Sequence, residues 1–162
     1  ELLSIGETDA RQLRLVLTIV KVNNELERIA DLGAEVAEQV VLVMKCRTQL
    51  PPTLQVTVNS VIGMIRDANR AMRDLDTARA RQVLESHDLV ERFRKGLIQE
   101  VQNQLASSRC SIDFAAAFWT IGNALERMAD HTTNIAEQVI YVDSGNIVRH
   151  SSGGWSEPMS AT

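Results

Sequence analysis

The chain has 162 residues, 44% hydrophobic and 23% charged, and its 17 Lys and Arg against 21 Asp and Glu give a formal net charge of −4. The length is enough for one packed domain. The acidic balance argues against a nucleic-acid binder, which needs a basic excess to displace counterions, and no apolar run approaches the roughly 20 residues that span a bilayer. The two cysteines, Cys46 and Cys110, stand far apart without a C-x-x-C or Cys/His cluster. Neither a disulfide framework nor a zinc finger is expected, and a reducing cytoplasm fits.

Few aromatics, three prolines and no alternating β-branched run predict an all-helical chain. A first helix is expected from an N-cap at Thr8 to about Lys45, stopped by Pro51-Pro52 because proline forces its predecessor out of α space. A second runs from about Leu54 to Leu75, and a third from about Ala78 to Ala106, ended by Ser107-Ser108. Ser111 caps a fourth that reaches about Val142, and residues 145–162, rich in Ser and Gly, read as a disordered tail.

The strongest signal is an internal repeat. Asn24-Glu-Leu-Glu-Arg-Ile-Ala-Asp-Leu-Gly-Ala-Glu-Val-Ala-Glu-Gln-Val40 recurs 99 positions later as Asn123-Ala-Leu-Glu-Arg-Met-Ala-Asp-His-Thr-Thr-Asn-Ile-Ala-Glu-Gln-Val139, with ten of seventeen positions identical. Helices one and four are therefore copies. Each carries an apolar seam at steps of four and three: Leu15, Ile19, Val22, Leu26, Ile29, Gly33, Val36, Val40 and Val43, and Phe114, Phe118, Ile121, Leu125, Met128, Thr132, Ile135, Val139 and Val142. That 3.5-residue period predicts long antiparallel helices packed at shallow angles.

A polar stripe repeats as well: Asn24, Glu27, Asp31, Glu35 and Glu38, then Asn123, Glu126, Asp130, Asn134 and Glu137. At 100° per residue these positions fall within roughly 80° of one another, opposite the seam, so the stripe is expected to face outward. That orientation excludes a di-iron site built inside the bundle. Like charges one turn apart destabilise a helix, and two readings account for Glu27/Asp31 and Glu126/Asp130. One is a solvated face partly neutralised by Arg28 and Arg127. The other is a site for hard cations between the carboxylates, completed by Asn carbonyls.

Leu26-Glu-Arg-Ile-Ala-Asp31 and Leu125-Glu-Arg-Met-Ala-Asp-His-Thr-Thr-Asn-Ile-Ala-Glu137 resemble the signature of the PhoU family, accessory and regulatory proteins of bacterial phosphate-specific transport. Support comes from Asp9-Ala-Arg-Gln-Leu-Arg14 and from the closing segment Tyr141–His150. The resemblance implies an antiparallel bundle of three-helix repeats. Residues 1–50 would be the last helix of a first repeat, lacking its two preceding helices, and residues 53–144 a complete second repeat. It also implies iron or zinc on surface E/D-x-x-x-D motifs. The implied function is that of a cytoplasmic negative regulator of the phosphate-starvation response, coupling the phosphate ABC transporter and its ATPase to a sensor histidine kinase. The expected metal ligands are Glu27, Asp31, Glu126, Asp130 and Asn134, joined by His87 and Glu91 where the family often carries another acidic pair. A histidine there alters the metal preferred or the cluster size, unless His87 is simply a surface residue.

Arg66, Arg70, Arg73, Arg79, Arg81, Arg92 and Arg94 read as solvated ion-pairing residues, with a docking surface as the alternative. His131 is expected to be structural, directed away from the acidic stripe. No phosphate loop, nucleophile elbow or H-E-x-x-H occurs, so an interaction protein is expected rather than an enzyme. The apolar seam of helix one must be covered, either intramolecularly or by a partner copy in a homodimer. A metal-binding or purely structural bundle outside phosphate signalling is the alternative function.

Overall fold

The computed structural model describes residues 9–46, 48–151 and 154–156. Four helices make up nearly all of it: α1 (Ala10–Lys45), α2 (Pro52–Asp74), α3 (Thr77–Ala106) and α4 (Ile112–Ser144). Their ends follow from local chemistry. Pro52 opens α2 at the first-turn position where a missing N–H is harmless. Asp76 and Ser111 each accept a backbone N–H of their own first turn, from Arg79 at 2.9 Å and Phe114 at 3.2 Å. Leu75 closes α2 in the left-handed conformation at φ 51°, and Gly145 closes α4 at φ 74°, where glycine carries no Cβ penalty. Thr8, expected as the first cap, lies outside the described residues, and Asp9 occupies the N-cap position without a side-chain bond.

α4 packs against α1, α2 and α3, while α1 has extended contact with α4 alone among the helices. All nine residues of the α4 seam are buried, and the ring centroids of its first two, Phe114 and Phe118, lie 4.6 Å apart. α1 and α4 run antiparallel. Arg11 meets Asp143, Glu25 meets His131, Glu35 meets Arg127 and Cys46 meets Ser111, so residue numbers rise along one helix as they fall along the other. Because the two helices are also copies 99 residues apart, they are related by a local pseudo-twofold axis passing near Ile29 and Met128.

The seam of α1 departs from expectation. Val22, Ile29 and Val43 are buried, but Ile19 is 52% and Val40 45% exposed, and Thr18 and Leu32 take places in the core instead. The cause is the number of neighbours: a helix resting on one partner buries a narrow strip, whereas α4, held by three, buries most of its circumference. Where the sequence reads as disordered, Val148 is buried in the core and a two-stranded antiparallel ladder pairs Arg149 with Ser156 and Ser151 with Gly154. Residues 157–162 of that tail lie outside the described residues.

Candidate functional site

The residues expected to bind metal sit on three helices. On α3, His87, Glu91 and Arg94 follow one another at steps of four and three and therefore share a face. On α4, Glu126 and Asp130 are one turn apart and oppose that face. His87 Nε2 lies 2.8 Å from the Asp130 carboxylate, and Arg94 Nε lies 3.0 Å from Glu126 Oε1. The hydrogen bond to Asp130 holds the His87 imidazole above its ordinary pKa, against the opposing effect of partial burial. Glu91 turns to its own helix, 2.6 Å from Lys95 Nζ, and this hydrogen bond lowers its pKa. The outward acidic stripe of α4 is thus partly covered by α3, which sets Arg94 against Glu126 and His87 against Asp130.

Asn134 does not join Glu126 and Asp130. Its amide donates to Glu25 Oε2 on α1 at 3.0 Å, and the same oxygen lies 2.7 Å from His131 Nδ1. This largely buried group ties α1 to α4 and gives His131 the structural role expected of it. Glu25 was not singled out by the sequence. The available signal was a difference between the copies, since Glu25 corresponds to the buried Ala124 and His131 to the buried Leu32.

The α1 copy of the motif is open. Asn24, Glu27, Arg28, Asp31, Leu32 and Glu35, with Arg127 from α4, line a polar groove of about 520 Å³. Glu27 and Asp31 are exposed, and neither has an ion-pair partner among the described residues. Identical sequence motifs therefore sit in different electrostatic settings, one opposite Arg94 and His87, the other facing solvent.

Imidazole and carboxylate suit zinc or iron, and His87 and Asp130 are close enough to serve one ion. Among the described residues, however, no three His, Cys, Asp or Glu side chains form a group that could hold a metal ion. A metal at His87 and Asp130 would need water for its remaining positions, and recruiting Glu126 would require Arg94 to withdraw.

A sequence profile of the PhoU domain matches residues 58–139, slightly more than half of the chain. The chain belongs to the PhoU family. Among similar PhoU proteins, "Phosphate-specific transport system accessory protein PhoU homolog 1" of Thermotoga maritima is 29% identical over 83% of this chain and 59% of its own length. A PhoU homolog of Pseudomonas aeruginosa is 32% identical over 87% of this chain and 59% of its own. The chain thus spans about three fifths of the length of these relatives. The crystal structure of PhoU from Streptococcus pneumoniae superposes with a TM-score of 0.82 at 23% identity, over 91% of this chain and 69% of that one. PhoU from Pseudomonas aeruginosa superposes with a TM-score of 0.78 at 28% identity, over 88% and 69%. The fold is the antiparallel PhoU bundle, with α2–α4 as a complete three-helix repeat and α1 as the last helix of a preceding one. Among the described residues no helix is long and apolar enough to cross a membrane.

Proposed function

We propose that this PhoU-family chain regulates phosphate uptake and the phosphate-starvation response on the cytoplasmic side of the membrane, as a negative regulator that binds the ATPase of the phosphate ABC transporter and a sensor histidine kinase. The observation that carries the reading is the PhoU-domain match over residues 58–139, together with relatives named as accessory proteins of phosphate-specific transport. In this reading the bundle is a rigid scaffold, and recognition replaces catalysis. Calorimetric titration of the chain with the purified ATPase and with the cytoplasmic part of the kinase tests it. Binding is expected, and failure to bind either protein refutes the role.

We further propose that iron or zinc is held on the repeated motif, by His87, Glu91, Glu126 and Asp130 on one side and by Glu27 and Asp31 on the other. Elemental analysis of chelator-free protein should find stoichiometric metal that the Glu126→Gln/Asp130→Asn variant loses, and metal-free wild-type protein sinks this part. One observation favours the rival reading of a metal-free structural bundle: Glu91 and Glu126 already have protein cations beside them, and Asp130 is hydrogen-bonded to His87. A homodimer covering the exposed Ile19, Val41 and Met44 of α1 completes the proposal, and light scattering decides it.

A further inference from the structure

The fold brings the two cysteines, 64 positions apart in the sequence, to one junction. Cys46 is the C-cap of α1, and Cys110 lies in the turn between α3 and α4, directly before the Ser111 that caps α4. The Ser111 hydroxyl donates to Cys46 Sγ at 3.8 Å, so the end of α1 rests against the residue next to Cys110. Both cysteines are reduced, partly buried and packed on the hydrophobic core. Burial pushes the Cys110 thiol above its ordinary pKa, with Arg109 opposing and the nearby Cys46 sulfur adding to the push, which puts the two sulfurs within electrostatic range of each other.

Neither sulfur is held firmly. Each thiol donates to a carbonyl, Cys46 to Leu42 at 3.4 Å and Cys110 to Val101 at 4.0 Å, and a thiol is a weak donor that gives up such a contact at little cost. Cys46 is also within reach of small molecules. It lines an open groove of about 390 Å³ between α1 and α4, beside Leu42, Lys45 and Asp113. One thiol open to solvent and a second behind it is the arrangement of a reactive cysteine with a resolving partner.

We infer that Cys46 and Cys110 form a reversible disulfide that latches the C-terminal end of α1 to the α3–α4 turn. α1 is the helix such a latch affects most, because it has extended contact with α4 alone and is otherwise held there by non-covalent pairs such as Arg11–Asp143 and Glu25–His131. The oxidant is a low-molecular-weight disulfide entering the groove. The Cys46 thiolate attacks one of its sulfurs, the small S–S bond breaks, and the departing thiolate takes up the proton that Cys46 lost. The Cys110 sulfur then attacks Cys46, forming the protein S–S bond and releasing the second small thiol with the proton of Cys110. Two protein thiols thereby lose two electrons, and one small disulfide is reduced to two thiols. A thiol held above its ordinary pKa is rarely ionised near neutrality, which suits Cys110 to the second, intramolecular step. In a reducing compartment the pair stands open and closes only under oxidation, so the bond switches the hold on α1 and does not brace it permanently.

The test equilibrates the full, folded chain in mixtures of reduced and oxidised glutathione, blocks remaining thiols by alkylation, and reads intact mass, peptide maps and urea unfolding. Wild-type protein should lose two hydrogens within a single chain, with the peptides carrying Cys46 and Cys110 linked. Closing so long a loop restricts the unfolded chain, so the urea midpoint of the oxidised form should rise by about 1–2 M, and dithiothreitol should reverse it. Cys46→Ser and Cys110→Ser, each checked for unchanged helicity by circular dichroism, should abolish both the link and the rise. Cys110→Ser should in addition accumulate glutathione on Cys46, the trapped product of the first step. Unreacted thiols, separate glutathione adducts on both cysteines, or chains linked to one another in the wild type overturn the inference. A link that forms only in urea, or that leaves the midpoint unchanged or lowered, overturns it as well.

Discussion

Phe118 and Ile19 occupy equivalent positions in the two copies, and the structure predicts opposite consequences for truncating them. Phe118 is fully buried against Phe114 on a helix packed on three sides. Phe118→Ala removes the ring and leaves a void that the surrounding helices close only in part, a loss of about 3–5 kcal/mol. Ile19 is 52% exposed. Half of the about 1.5–3 kcal/mol for a fully buried aliphatic side chain is roughly 1 kcal/mol, and Ala's better helix propensity returns some tenths of that. The net loss for Ile19→Ala is about 0.5 kcal/mol. Urea unfolding followed by circular dichroism at 222 nm separates the two. With a slope of about 2 kcal/mol/M, the midpoint falls by roughly 2 M for Phe118→Ala and by roughly 0.3 M for Ile19→Ala. Equal shifts would mean that α1 is enclosed as α4 is, and a shift below about 0.5 M for Phe118→Ala would mean that α4 is not the buried centre of the bundle.

Three further outcomes follow from particular contacts. His87 has a raised pKa in the folded chain, so the His87–Asp130 bond stabilises fully below the unfolded value near 6.5 and its contribution is lost as pH rises through the raised folded value. Unfolding midpoints at pH 6 and pH 8.5 should differ by an amount worth at most about 1 kcal/mol, Asp130 being half exposed, and Asp130→Asn should remove that difference. A slope that persists in the variant refutes the assignment. Glu25→Ala removes the acceptor shared by Asn134 and His131 and should destabilise by about 1–3 kcal/mol, while Glu38→Ala on the exposed stripe of the same helix should stay within about 0.5 kcal/mol. Similar losses in both would deny the clamp. Thr18 is fully buried and its hydroxyl has no hydrogen-bond partner among the described residues, so the near-isosteric Thr18→Val should raise stability by about 1 kcal/mol. A lowered midpoint would show that the hydroxyl is satisfied.

The parts of this structure legible in the sequence were those decided locally. Pro51-Pro52, Ser111 and the 3.5-residue seam set helix number and boundaries within a few residues, and the 99-residue repeat located the two motif helices. What the seam did not carry was the number of neighbours each copy receives, so Ile19 and Val40 read like Phe118 and Val139 yet stand in water. The candidate site divided in the same way. Glu126, Asp130 and His87 were placed by motif and spacing, but Arg94 read as one of many surface arginines until α3 was seen to lie against α4. Glu25 had no local pattern at all, since its partners lie more than 100 residues away and only tertiary packing brings them near. The strand pair after Val148 was hidden by a Ser- and Gly-rich composition that reads as unstructured in any single window.

The dependence of α1 on α4 has a consequence for how the chain is made. Synthesis is vectorial, and α1, ending at Lys45, is complete 66 residues before Ile112 begins the helix it packs on. At about 5–20 residues per second, Val22, Ile29, Leu32 and Val43 wait about 3–13 s on the ribosome without their partner, while α2 and α3 pair in the interval. Nascent chains stalled just short of residue 112 should therefore be cut by protease within α1 and held by chaperones, and chains stalled well beyond Ser144 should resist both.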